Sequence, residues 1–248
     1  MIKIEEVVNL LAEAELSNVM YTDLESKKLN PTKVLALVRS INLGLLELHK
    51  RFPLKTGTLT LNLQPNLRRY YLRPEYQVGK APRPGVIQYI AQGTDRLEAG
   101  ELLKVEKVLN PDGLELDLNI SDSYIGVSCP QFDVLEINTF AQAHFTEHRY
   151  ATLIVEYRKT AKQLMVFEDS LPEELLAQNV DLPYTHLQAL VYFVAKRLRS
   201  PIGFSQNSAQ EAVNYNTLYE TECNNLNMLG LYSDQHGSTD RFTRGGWA

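Results

Sequence analysis

Between residues 31 and 63 the apolar residues change their period. Val34, Val38, Ile41, Leu45, Leu48 and Phe52 alternate four and three apart, one continuous stripe along a helix. Asn30 is a candidate N-cap, Pro31 suits the first helical position, and Pro53 stops the helix. From Gly57 the period is two, with Leu59, Leu61 and Leu63 alternating with polar residues as in a half-buried strand. A chain that switches from period 3.6 to period 2 in so few residues must join a helical layer to a sheet.

The rest of the chain extends this division. Ile4, Val7, Val8, Leu11 and Leu16 predict a helix over residues 3–16. Strands are expected at 58–63, 69–72, 86–90, 102–109, 114–118, 134–137 and 153–157. Asn110-Pro111-Asp112-Gly113 predicts a hairpin between the fourth and fifth. Helix returns near residue 171, then from Pro183 to Leu198, then from Ser208 to Leu229, with Gly230 as a C-terminal cap. The last stripe is Ala212, Tyr215, Tyr219, Cys223 and Leu226. The expected fold is α+β: a helical bundle from both chain ends, an inserted antiparallel β domain and an extended C-terminal tail. The segments are 1–56, 57–170, 171–230 and 231–248.

Composition narrows the class. The 248 residues are 44% hydrophobic and 22% charged, a globular balance with ample core. A net charge of -5 argues against a dedicated nucleic-acid binder. No apolar run approaches the ~20 residues that span a bilayer. The start turns acidic at once, unlike a signal peptide. Two cysteines, Cys129 and Cys223, exclude a disulfide framework and fit synthesis in a reducing cytoplasm.

Catalytic signatures are lacking in the sequence: no P-loop, G-x-G-x-x-G, G-x-S-x-G or H-E-x-x-H. His144 and His148 would share a face only on a helix, and no third metal ligand can be named beside them. They read as surface or loop histidines. Cys223 lies on an apolar stripe and reads as a small buried hydrophobe. Glu173-Glu174 reads as a solvated helix start. No enzyme activity, cofactor or metal is expected.

Charge distribution says more. Residues 63–90 carry Arg68, Arg69, Arg73, Lys80 and Arg83 with four tyrosines, Tyr70, Tyr71, Tyr76 and Tyr89. That mixture suits a protein contact, an ordinary solvated sheet face or a nucleic acid. Residues 95–147 are acidic in turn, and the two stretches are candidates for complementary patches on neighbouring subunits. Arg68, Arg69 and Arg73 are the candidate subunit-interface residues. The acidic stretch reads first as a solvated face with no role, and alternatively as the lining of a channel past which phosphates slide. Residues 231–248 place Arg241, Phe242, Arg244 and Trp247 among glycines, with anchor residues of the kind that dock in a partner's groove.

Leu37-Val38-Arg39-Ser40-Ile41-Asn42-Leu43-Gly44-Leu45-Leu46-Glu47-Leu48-His49-Lys50-Arg51-Phe52-Pro53-Leu54-Lys55 resembles the long helix and exit of the head-to-tail adaptor proteins of short-tailed bacteriophages, in which I-N-x-G-L-x-x-L is followed by R-F-x-L-K. Leu153 to Arg158 resembles their V-E-Y-R strand. Pro183 to Arg199 and Glu211 to Leu229 resemble the returning helices, and Arg241 to Trp247 an R-x-R-G-W ending. The resemblance implies a structural virion protein of the neck, in a ring of usually twelve copies. The ring would sit between the portal protein and the tail nozzle protein, extend the DNA channel and help retain the genome. Double-stranded DNA would pass through without sequence-specific binding, and no membrane is involved. Portal binding would fall to Arg241, Phe242, Arg244 and Trp247. The alternatives are another neck or tail-completion ring protein, an intracellular enzyme, or a DNA-binding module using residues 63–90.

Overall fold

The computed structural model describes residues 2–11, 31–79, 85–91, 95–120, 126–147, 150–165, 172–199 and 206–230. In chain order these form β1 (Ile2–Lys3), α1 (Ile4–Leu10), α2 (Pro31–Arg51), β2 (Thr56–Asn62), β3 (Arg69–Tyr71), β4 (Leu102–Leu109), β5 (Asp117–Leu118), β6 (Gly126–Gln131), β7 (Val134–Ile137), α3 (Thr139–Glu147), β8 (Thr152–Lys159), α4 (Pro172–Leu176), β9 (Asn179–Val180), α5 (Leu187–Arg199) and α6 (Gln206–Met228). The protein is therefore mixed helix and sheet. It divides into two compact units, Met1–Phe52 with Ala161–Ala248, and Pro53–Thr160.

In the first unit α2 buries the predicted stripe from Val34 to Phe52, and His49, Lys50 and Arg51 complement the dipole of its last turn. Gly44 faces α5: a Cβ there would lie 2.6 Å from Leu190 Cδ1 and 3.0 Å from Phe193 Cδ1, so glycine sets the helix spacing. α5 is buried on most sides, through Ala189, Leu190, Val191, Phe193, Val194 and Ala195. α6 rests on it through Tyr219, Cys223 and Leu226, with Phe193 and Tyr219 edge to face at 5.6 Å. Arg51 donates to Glu220 at 2.8 Å and ties the end of α2 to α6. Gly230, at φ +58°, follows α6 as the predicted left-handed cap. Ile2 and Lys3 pair antiparallel with Val180 and Asn179, a two-stranded ribbon that the sequence pattern did not predict.

Two helix starts differ from expectation. Pro183 is extended (ψ 145°) and precedes a 3-10 turn over Tyr184–His186, so α5 begins at Leu187. The described part of the first helix is Ile4–Leu10; residues 12–16 lie outside the described residues, as does Asn30. The chain re-enters the first unit after Thr160, earlier than the expected 170. The cause is local. Asn42 Nδ2 donates to the Leu164 carbonyl at 3.0 Å while its Oδ1 accepts from Leu164 N at 2.8 Å, and Lys162 N donates to the Asp181 carboxylate.

The second unit holds two sheets. One has the order β2-β8-β4, all antiparallel, with β8 central. The other runs β3-β7-β6-β5, with β5 parallel to β6. The shared core includes Leu59, Leu61, Tyr70, Tyr89, Leu135, Phe145, Val155 and Tyr157. Both outer strands of the first sheet are blunted. Residues 90 and 91 cover β2 through the Leu61–Ile90 bridge and the Ala91 N–H to Thr60 bond, while β4 carries two register shifts and Lys104, Glu106 and Lys107.

The expected strand at Val86–Ile90 is not one. Gly85, at φ +82°, breaks the extended backbone just before it, and only Ile90 bridges, to Leu61 and Gln77. The Asn110–Gly113 turn forms, with Leu114 N on Asn110 Oδ1 at 2.8 Å and Gly113 at φ +82°. Its second arm, expected over 114–118, makes one bridge to β4 and then leaves to pair with β6, so β5 is Asp117–Leu118 alone. β6 and α3 were not predicted. Asn138 caps α3, its Oδ1 accepting from Ala141 N at 2.6 Å. His144 is consequently helical rather than in a loop; His148 lies outside the described residues.

Candidate interface surfaces

β3 presents the arginines singled out by the sequence. Arg68 and Arg69 are exposed. The β3–β7 register sets Arg69 opposite Glu136, and Arg69 Nε lies 3.1 Å from that carboxylate. Arg73 Nε lies 2.6 Å from Asp133, whose side chain is nearly buried, and this bond raises the Arg73 pKa. Two of the three arginines thus meet carboxylates of the acidic stretch within the same copy. The same holds elsewhere in that stretch: Arg158 pairs with Glu106, and Lys159 Nζ lies 3.4 Å from Asp95 and 3.3 Å from Glu101. The Thr58 N–H, 3.0 Å away, and then Lys159 hold the Asp95 carboxyl below the usual range. Among the described residues, Arg69 and Arg73 thus spend their charge on carboxylates inside the second unit.

The tyrosines form a closed stack. Tyr76 lies parallel to Tyr71 at 5.7 Å and to Tyr89 at 5.0 Å, Tyr70 meets Tyr89 edge-on, and the Arg73 guanidinium sits 5.1 Å from the Tyr71 ring. Tyr89 Oη accepts from Tyr71 N and donates to the Tyr71 carbonyl. Burial pushes the Tyr89 phenol up, out of the range in which it ionises. Rings that stack on one another offer few free faces to a base, so this segment works as a packed edge of the sheet. Beside it a cleft of about 290 Å³ is lined by Leu72, Arg73, Glu75, Glu98, Phe132 and Asp133, with Phe132 63% exposed.

Burial disfavours the thiolate of both cysteines. Cys223 is fully buried, and burial raises its pKa before the Tyr219 hydroxyl and Arg51 act in the other direction. Burial pushes the Cys129 thiol up to about 11. Among the described residues no three His, Cys, Asp or Glu side chains are grouped to hold a metal ion, and no helix is long and apolar enough to cross a membrane.

The buried imidazoles of the first unit were missed in the sequence, where His49 and His186 carry no special spacing. His49 Nε2 lies 3.0 Å from the Asp181 carbonyl, and His186 packs edge-on against Phe52 at 5.0 Å. Burial, and then the neighbouring His49, lower the His186 pKa. Its folded pKa lies below the unfolded value, so the unfolded chain takes up the proton first as pH falls. The contribution is intact above the ordinary histidine pKa of about 6.5 and is lost as pH falls from there toward the lowered folded value. Urea midpoints at pH 7.5 and pH 5.0 are expected to show this loss, and His186→Gln is expected to flatten it. An equal slope in wild type and variant would remove His186 from the account.

Arg241, Phe242, Arg244 and Trp247 lie outside the described residues, as do Lys80 and Arg83. No protein-family model matches the chain, and no curated protein matches it.

Proposed function

We propose that this chain is a structural subunit of the neck of a short-tailed bacteriophage. In this reading it is a head-to-tail adaptor that forms a ring between portal and tail nozzle. One observation carries the reading. The segments of the resemblance are far apart in sequence, yet they are the residues that hold each unit together. In the first unit Asn42 clamps Leu164, Gly44 admits Leu190 and Phe193, and Arg51 reaches Glu220. In the second, the Val155-Glu156-Tyr157-Arg158 run is the central strand β8, flanked by β2 and β4. A motif of packing residues marks a scaffold, and a scaffold is what a ring subunit needs. That the first unit takes its residues from both parts of the chain supports this reading.

On this reading the ring holds twelve copies, matches the portal above it and extends the channel through which double-stranded DNA passes. The virion neck is its site of action, and the host cytoplasm its site of synthesis. The test is the mass of the complex formed when the purified protein is mixed with its phage's portal ring, beside each component alone. A stable complex with one copy per portal subunit is expected. A 28.2 kDa monomer that forms no complex with the portal overturns the reading. A complex with the tail nozzle protein but not the portal would favour a different ring of the same neck.

A further inference from the structure

Three tight turns enclose the cleft beside β3. The β6–β7 hairpin closes in two residues, Phe132 and Asp133, between the paired Gln131 and Val134. A 3-10 turn over Pro74–Tyr76 follows β3. In the third turn Glu101 N donates to the Glu98 carbonyl at 3.2 Å, and Glu98 N donates to the Glu101 carboxylate at 3.0 Å. The buried side chains of Leu72 and Leu102 complete the lining. Leu72 N donates to the Asp133 carbonyl at 2.8 Å, and Arg73 Nε to the Asp133 carboxylate at 2.6 Å. The hollow is thus held in shape by the fold itself, as a preorganised binding site must be.

Phe132 is out of place at such a tip. Two-residue hairpin turns favour asparagine, aspartate and glycine. Here a phenyl ring stands 63% exposed on a rigid turn, at the mouth of an apolar hollow. Around it the lining carries the carboxylates of Glu75, Glu98 and Asp133 against one guanidinium, that of Arg73. Asp133 and the Tyr71 ring hold that guanidinium, and Glu98 is exposed at the rim. An apolar cavity of about 150 Å³ takes a benzene ring. The cleft, at about 290 Å³, has room for an indole.

A guest for this cleft is cationic and aromatic, and the chain carries such a segment. Arg241-Phe242-Thr243-Arg244-Gly245-Gly246-Trp247 has two guanidiniums, two aromatic rings and no carboxylate side chain. Its arginines complement the acidic rim, and its rings complement Phe132. We infer that the cleft holds this C-terminal segment of the chain, with an aromatic ring against Phe132 and arginine against Glu98. The same side chains cannot fill a groove on the portal at that moment. The contact therefore belongs to the protein before attachment, and cleft and portal compete for Trp247. The inference stands apart from the neck reading, because cleft and segment are both present in the free protein.

Trp247 is the only tryptophan, so the intrinsic fluorescence of the full-length protein tests the inference at this one residue. Its emission is expected to lie to the blue of the same chain unfolded in urea, and acrylamide is expected to quench it more slowly. Phe132→Ala and Glu98→Lys each change an exposed turn residue and leave the core intact. Phe132→Ala is expected to weaken docking about tenfold. Glu98→Lys removes a rim attraction that added salt would screen. The two together are expected to return the emission to its unfolded position, with circular dichroism unchanged. A blue shift lost on dilution assigns the segment to a second copy, and either source upholds the inference. Emission of the folded wild type at the unfolded position overturns it. A blue-shifted Trp247 that the double variant does not move also overturns it, because the segment then docks elsewhere.

Discussion

Gly57→Val is expected to lower the stability of the second unit by about 3 kcal/mol. Gly57 lies on β2 opposite Tyr157 of β8. A Cβ at this position would fall on Lys159 Cε and would stand 2.7 Å from Tyr157 Cζ. Neither neighbour can move cheaply. Tyr157 is fully buried in the core, and Lys159, only 8% exposed, is held by Asp95 and Glu101 with its ammonium over the Tyr157 ring. Pushing Lys159 aside would leave Glu101, whose side chain is 19% exposed, without its counter-charge, and breaking such a pair on one side is costly. Urea unfolding followed by circular dichroism reads the effect. The mechanism has a second signature. If the clash with Lys159 dominates, Gly57→Val combined with Lys159→Ala should cost at least 1 kcal/mol less than the sum of the two single changes. A single-variant cost below 1 kcal/mol would mean that Lys159 swings into water without penalty and that glycine at 57 is incidental.

The helices were legible where a long stripe and a terminal residue agreed. α2 has both, from Val34 to Phe52 with prolines at 31 and 53, and α6 stops just before the predicted Gly230. α3 has neither a long stripe nor an acidic first turn. Ala141 and Phe145 are the buried residues among its described side chains, and Asn138 was an available signal, an N-cap three residues ahead of the amide that it binds. β6 reads Gly-Val-Ser-Cys-Pro-Gln, buried only at its first two residues, and such a strand exists because β5 and β7 pair with it. Val86–Ile90 fails in the opposite sense. Its composition suits a strand, but Gly85 and the hydrogen bonds of Tyr89 hold it as a cover on β2.

The interface residues show the same limit. The excess of arginine over residues 63–90 was plain in the sequence, and so was the acid over 95–147. What no local pattern contains is register. Arg69 and Glu136 are 67 residues apart and Arg73 and Asp133 are 60 apart, and only the pairing of β3 with β7 makes them neighbours. A charge run therefore indicates a surface when its counter-charges lie on another molecule, and a sheet edge when they lie on the next strand.

Removing residues 231–248 is expected to leave both units folded and to abolish attachment to the portal ring. Folding should survive because the buried core extends no further along the described chain than Leu226, and Gly230 ends α6. Attachment should fail because Arg241, Phe242, Arg244 and Trp247 bring together the side chains that most often dominate interfaces. Trp247 is the only tryptophan of the chain, and Gly245 and Gly246 before it let the backbone follow a groove. Trp247→Ala alone is expected to cost about 2 kcal/mol of binding, roughly thirtyfold in affinity, with Phe242→Ala close behind. Arg244→Lys keeps the charge and loses the planar fork, so its loss separates a bidentate contact from simple attraction. Calorimetric titration of each variant into the portal ring measures the series, with circular dichroism confirming that the helices persist. If the truncated chain binds as tightly as the intact one, the anchor lies on the two folded units.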